Sequence, residues 1–159
     1  MRKLAISITI LLVASVLAGQ QPNIQETNKA VAYSFFEQVL DKGQLDHYAD
    51  SHASTFVAHG DGHDYTLAED MAAAKEERTA LPDMRMKVND MVAERDLVSV
   101  FWTATGTNTH AGMGFPATGR RITINGMTLF RLHDGKIVEE WSVFDMLSAM
   151  RQAGLLAAQ

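Results

Sequence analysis

Glu140, Ser142 and Phe144 stand two apart in the stretch Ile137 to Asp145, which reads as a β-strand, so their side chains share one face. A carboxylate set beside Phe144 and other apolar neighbours is partly desolvated, which raises its pKa and makes it a better proton acceptor near neutral pH. The bland alternative has Glu140 as a buried hydrogen-bonding group or as a side chain reaching water. A serine hydroxyl such as Ser142 is no base unless a neighbour takes its proton. The densest cluster of titratable side chains is elsewhere: His59, Asp61, His63 and Asp64, punctuated by Gly60 and Gly62. In a regular strand His59 and His63 would face the same way and two imidazoles could approach a metal ion. The two glycines spoil that geometry and no third His, Cys or Glu follows at a ligand spacing, so no metal is expected.

The elements that must position these groups are legible from periodicity. Thr27 is a candidate N-cap for a helix whose apolar residues Val31, Phe35, Phe36, Val39 and Leu40 fall on one face, with Gly43 at its stop. A short helical turn at Leu45 to Tyr48 and a strand at Ser54 to Ala58 follow, and His59 to His63 reads as a loop. Thr66 and Glu69 form a capping box, opening a helix through about Ala80 ahead of Pro82. The period then changes to two: Met84, Met86 and Val88 alternate with Arg85, Lys87 and Asn89. Further strands are expected over Leu97 to Thr107, Arg120 to Leu132 and Ile137 to Asp145, with an Asp134-Gly135 hairpin turn between the last two. Met146 to Leu156 suits a terminal helix, for which Asp145 is a natural N-cap. Helices first and an antiparallel meander after them predict an α+β fold.

The chain has 159 residues, 47% of them hydrophobic and 21% charged, with three Pro and no Cys, a composition that fits one globular domain. It carries 14 Lys and Arg against 19 Asp and Glu, and the loss of Arg2 and Lys3 with a leader would deepen the formal charge from −5 to −7. An acidic body of this kind lacks the basic face that nucleic-acid binding requires. Met1-Arg2-Lys3, the apolar run from Leu4 to Leu17 and the small residues ending at Ala18 have the form of a secretory signal peptide, too short for a comfortable membrane span. The expected division is a signal peptide over 1–18, a polar linker over 19–26 and one domain over 27–159. The expectation is thus an exported protein, periplasmic or secreted, with no membrane attachment after cleavage.

Several ordered segments carry a resemblance. Phe35-Phe36-Glu37 is followed by Ala80-Leu81-Pro82-Asp83-Met84-Arg85, by Trp102-Thr103-Ala104-Thr105-Gly106-Thr107 and by Gly114-Phe115-Pro116-Ala117-Thr118-Gly119-Arg120-Arg121. Phe130-Arg131-Leu132-His133-Asp134-Gly135-Lys136-Ile137-Val138-Glu139-Glu140-Trp141 closes the series. In order and spacing the chain resembles the SnoaL-like polyketide cyclase family, with its ester cyclase relatives, in the nuclear-transport-factor-2-like superfamily, over about Asn28 to Leu156. The resemblance implies a cone-shaped α+β barrel in which a curved antiparallel sheet and the N-terminal helices enclose a hydrophobic pocket. It also implies proton abstraction from a polyketide ester by an aspartate on the last long strand, followed by aldol closure without cofactor or metal. An ungapped alignment on the Asp-Gly-Lys turn puts Ser142 at the position of that aspartate and Thr128 where those cyclases carry a pocket histidine. Asp145 matches an acidic family position.

With the pocket supplied by the resemblance, Glu140 is the candidate base and Ser142 and His59 are the groups that place a substrate oxygen. Phe56, Trp102, Met113, Phe115, Thr128 and Phe144 are candidate ligand-contacting residues, with His63 and Asp61 at the mouth of the cone. The expected ligand is a small hydrophobic carbonyl compound and the expected cofactor is none. A non-catalytic periplasmic binding protein is the alternative. Trp141 and Val143, on the opposite parity, would leave apolar surface on the outer face of the sheet, and a homodimer is expected to cover it. No glycine fingerprint for a dinucleotide is present, and no Asp–Arg–Asp set for epoxide hydrolysis can be assembled from pocket-facing positions.

Overall fold

A computed structural model of the chain describes residues 23–60 and 62–157. The expected signal peptide, residues 19–22 of the linker and Asp61 lie outside the described residues. The first helix, α1 (Ile24–Ser34), begins one turn earlier than Thr27: Asn23 is its N-cap, with Oδ1 accepting from Gln25 N at 3.1 Å. Ile24 to Glu26, read as linker, therefore form its first turn. The helix then widens into a π-helical stretch, Phe35–Asp41, in which Lys42 N donates to Glu37 O. The extra residue per turn buries the consecutive rings of Phe35 and Phe36, each 3% exposed, instead of sending one to solvent. A 3₁₀ turn, Leu45–Asp50, follows.

Six strands form one sheet: β1 (His52–Gly60), β2 (His63–Thr66), β3 (Arg85–Glu94), β4 (Leu97–Thr107), β5 (Arg121–His133) and β6 (Lys136–Phe144), in the order β2-β1-β6-β5-β4-β3. The expected glycine loop at 59–63 is instead a tight β1–β2 hairpin, because Gly62 supplies the positive φ (+75°) that the reversal needs. Strands β3 to β6 are the antiparallel meander read from the alternation, and β1 joins β6 in parallel. Helix α2 (Leu67–Ala80) starts at the Thr66–Glu69 capping box and lies against β1 and β2; α3 (Met146–Gln152) is capped by Asp145, whose Oδ1 accepts from Ser148 N. The result is the α+β cone expected from the sequence. Even-numbered residues of β4 and β5, from Val98 and Val100 to Ile122 and Phe130, point inward and are buried. Odd-numbered ones face outward.

Candidate functional site

The inner face of the sheet does not close on a solid core. A cavity of about 180 Å³ lies between α2, the π-helical stretch and strands β3 to β6. An engineered apolar cavity of about 150 Å³ holds benzene, so this one suits a compound of one ring with small substituents. Its walls are mostly apolar, with Phe36, Trp102, Phe130 and Phe144 among the aromatic ones and Met84, Met86 and Met113 among the flexible ones.

One wall carries an ordered chain of hydrogen bonds. Trp102 Nε1 donates to Thr128 Oγ1 at 3.0 Å, Thr128 Oγ1 and Ser142 Oγ are 2.7 Å apart, and Ser142 Oγ donates to Glu140 Oε1 at 2.6 Å. An indole N–H only donates, so Thr128 accepts from Trp102; when Glu140 is ionised, Ser142 gives its proton to the carboxylate and accepts from Thr128. In that ionised state Oε1 of Glu140 is held as an acceptor, and Oε2 is left free to take a proton. Strand register produces the chain: Thr128 is the cross-strand partner of Ser142, and Trp102 that of Gly126, where a Cβ would stand 2.2 Å from the indole Cζ2. Glycine alone lets the ring lie flat enough to reach Thr128.

The opposite wall is acidic. Asp70 and Glu77, seven apart and so on one side of α2, line the cavity with Ala73 and Ala74 between them, the small residues that leave it open. Tyr48 Oη donates to Asp70 Oδ2 at 2.5 Å. Glu77 makes no side-chain hydrogen bond among the described residues. Burial, reinforced by the neighbouring charges of Asp70 and Glu76, pushes Glu77 up to about 7. Burial, then the charge of Asp70, pushes Glu140 up to about 8 against the opposing Ser142 hydrogen bond. Desolvation also raises Asp70, and desolvation together with the charges of Glu140 and Asp70 takes the Tyr48 hydroxyl well above its usual value. Carboxyls that share a confined space titrate as a set, so near neutrality the cavity holds a mixture of acid and base forms.

Of the residues singled out from sequence, Glu140, Ser142, Trp102, Met113, Thr128 and Phe144 line this cavity, and His59, His63, Phe56 and Phe115 do not. His59 is a correction, and strand parity is the reason. It pairs with Trp141 across β1 and β6, which puts it on the outer face, where its ring stacks on Trp141 at 4.7 Å and its Nδ1 lies 2.8 Å from Asp64 Oδ1. His63 is exposed on β2 against Tyr65. Phe56 is core, edge-on to His52, and Phe115 is buried in the loop before β5. That loop is organised by the buried Asn108, whose Oδ1 accepts from Thr118 N and whose Nδ2 donates to His110 O. It delivers Met113 to the cavity, with Met113 N donating to Glu76 Oε1. Arg121 is ion-paired with Asp83 at 3.4 Å. Asp70, Glu77 and Tyr48 were missed; acids seven apart around three consecutive alanines, Ala72 to Ala74, were the available signal.

Residues 30–153 match the family model for SnoaL-like polyketide cyclases. The chain belongs to that family. Solved structures agree on the fold. AclR from Streptomyces galilaeus, provisionally a hydroxylase, is similar at a TM-score of 0.77 and 24% identity, covering 84% of this chain and 99% of its own. IdmH from Streptomyces antibioticus, provisionally a polyketide cyclase, has a TM-score of 0.71 and 27% identity over 80% of this chain and 98% of its own. A SnoaL-like polyketide cyclase from Agrobacterium tumefaciens str. C58 has a TM-score of 0.68 and 18% identity over 79% of this chain and 96% of its own. A comparison with curated proteins finds no match. Within the SnoaL-like frame, the inward carboxyl of β6 is contributed here by Glu140, with Ser142 as its hydrogen-bond donor.

Proposed function

We propose that this SnoaL-like protein takes a small apolar carbonyl compound into the cavity and acts on it by cofactor-free acid–base chemistry, with Glu140 as the base. The observation that carries the reading is the directed chain Trp102–Thr128–Ser142–Glu140, which ends on a cavity carboxyl. In the reaction, Glu140 Oε2 takes the proton from the carbon next to the substrate carbonyl. The electron pair of the broken C–H bond moves into the C–C–O system as an enolate. The enolate carbon then attacks a second carbonyl of the same molecule, whose C–O π pair moves onto oxygen and takes the proton held by Glu140, as in aldol ring closure, or the carbon takes that proton back. A base poised near pH 8 suits carbon acids whose own conjugation spreads the charge. The cavity volume points to single-ring products.

The test is hydrogen–deuterium exchange and turnover on small cyclic and acyclic β-diketones. Exchange is expected to rise with pH toward about 8 and to fall by about 10²–10⁴ in Glu140→Gln, with folding preserved. Exchange unchanged in that variant removes Glu140 as the base; binding without exchange in the wild type leaves the non-catalytic binding protein.

Two further expectations belong to the same reading. We infer export through cleavage after Ala18, which the intact mass of the mature protein checks; no helix among the described residues is long and apolar enough to cross a membrane. We also infer a homodimer through the outer face of the sheet, where Phe101, Met127 and Val143 stand in one cross-strand row and are 42%, 49% and 70% exposed. Val143→Lys should shift sedimentation from dimer to monomer, and a monomeric wild type would overturn this assignment.

A further inference from the structure

Proton abstraction by Glu140 uses one wall of the cavity and gives the other no task. Asp70 and Glu77 are not needed to hold Glu140, and their charges oppose its ionisation. No Lys, Arg or His is among the described residues that line the cavity. The nearest candidates are committed elsewhere. Arg78, next to Glu77 in sequence, donates to the backbone oxygens of Leu40, Asp41 and Met84. His52, stacked on Tyr48, is kept neutral by burial, its pKa lowered to about 4. Glu77 is thus a half-buried, cavity-lining carboxyl with no hydrogen-bond or ion-pair partner among the described residues, so its charge is met by protonation, by solvent or by a ligand.

The three acids are not a metal centre, for no three His, Cys, Asp or Glu among the described residues are grouped closely enough to hold an ion. The walls suit a different cation. Phe36, Trp102 and Phe144 line the same cavity as the carboxyls, with ring centroids 6.4 Å apart for Phe36–Trp102 and 6.3 Å for Trp102–Phe144. Aromatic faces with carboxylates beside them attract an organic ammonium, whose charge is met by the ring quadrupoles and the acids together.

We propose that the ligand of this cavity carries a protonated amine, seated against Glu77 and Asp70 of α2 and bordered by the rings of Phe36, Trp102 and Phe144. The substrate class becomes an aromatic or cyclic amine with a carbonyl group, its ammonium toward α2 and its carbonyl toward Glu140. This rests on the cavity-ligand reading above and sharpens it. Anionic ligands are disfavoured wherever these carboxyls are ionised, since no cation is among the described residues that line the cavity. The affinity is linked to pH through every group facing Glu77: Asp70 and Glu76 on α2, Glu140 on β6 and the Tyr48–Asp70 pair. As these acids lose protons, an ammonium gains partners and a neutral ligand gains nothing.

The experiment compares benzylamine with its near-isostere benzyl alcohol by calorimetry on the full mature chain. Benzylamine should bind about tenfold or more tighter than the alcohol at about pH 8, with the advantage falling by about tenfold at about pH 5.5. Glu77→Gln, its folding checked by circular dichroism, should remove most of the amine's advantage and leave alcohol binding unchanged; Asp70→Asn is the second variant and should act in the same direction. Equal affinity for amine and alcohol overturns this inference and spares the carbonyl reading, which α-proton exchange tests separately. Binding of neither probe overturns the inference and removes the cavity as a ligand site. An amine preference that both variants retain overturns the assignment to the α2 wall.

Discussion

Glu139 and Glu140 are consecutive in β6, and the pleat sends them to opposite faces of the sheet. Glu139 faces outward, where its Oε2 accepts from Arg131 Nε at 2.5 Å; Arg131 also donates to Asp96 Oδ2 at 2.7 Å and stands 5.9 Å from the centre of the Trp141 ring. Glu140 faces inward, where its hydrogen bond is to a serine and its charged neighbours are acids. The outer glutamate is offset by a cation in water and is a surface ion pair. The inner one is offset by nothing of opposite sign, and its proton is correspondingly hard to remove. The same side chain, moved by one residue, changes from an ion-pair partner into a candidate base.

The comparison breaks most severely if the inner wall is disordered. Gly126→Ala would put a Cβ into the Trp102 indole, which is 7% exposed and has little room to retreat. The ring must turn, and the Trp102–Thr128 bond that anchors the relay goes with it. A destabilisation of ~1–3 kcal/mol in urea unfolding is expected, together with a large loss of α-proton exchange. Trp102→Phe in the Gly126→Ala background should recover part of the stability and none of the relay. If Gly126→Ala keeps both stability and exchange, the relay does not position Glu140.

How much of this was visible in the sequence follows the same division. Period-two alternation placed Glu140, Ser142 and Phe144 on one face; Thr128 stands opposite Ser142 because a bulge between Arg131 and Leu132 shifts by one residue the register that the Asp134-Gly135 turn starts, and that bulge has no sequence signal. The same rule applied to β1 would have kept His59 out: Phe56 and Ala58 are inward, so 59 is outward. Gly60 and Gly62 after His59 signal a loop, and that signal masks the strand parity. The acids of α2 were hidden for a different reason. Glu69, Asp70, Glu76 and Glu77 look like a solvated helix face, and only the curvature of the sheet, a tertiary property, decides that Asp70 and Glu77 turn inward while Glu69 caps the helix. The π-helical stretch has no periodic signature in seven residues, which is why two consecutive buried phenylalanines were read as ordinary α-helix.

A second contrast concerns pH. Between about pH 4.5 and pH 8 the folded chain keeps protons on Glu77 and Glu140 that the unfolded chain releases, so stability falls as pH rises through that window. His52 works in the other direction: its folded pKa of about 4 lies below the ordinary 6.5, so the unfolded chain takes up a proton first and stability falls as pH drops from about 6.5 to 4. The two slopes overlap, and maximal stability is expected where they do. Glu77→Gln removes part of the alkaline loss and should raise stability by about 1–2 kcal/mol at pH 8 with little change at pH 4.5, a Tm gain of a few degrees in thermal scans. An equal effect at both pH values would show that Glu77 titrates alike in the folded and unfolded chain.

The smallest effect is expected outside. Glu139→Gln removes one partner of Arg131, whose side chain is 40% exposed and keeps Asp96. Exposed pairs of this kind contribute at most about 1 kcal/mol, so unfolding should shift by less than that and the shift should shrink in high salt. The result also reports on the proposed subunit contact. If a second copy covers Trp141 and Val143, the Arg131–Glu139 pair beside them loses water, and removing Glu139 leaves a guanidinium with one partner in a drier setting. The penalty would then exceed ~1 kcal/mol, resist salt and disappear in the monomeric Val143→Lys background, so one variant measured in two backgrounds decides whether the outer face meets water or another chain.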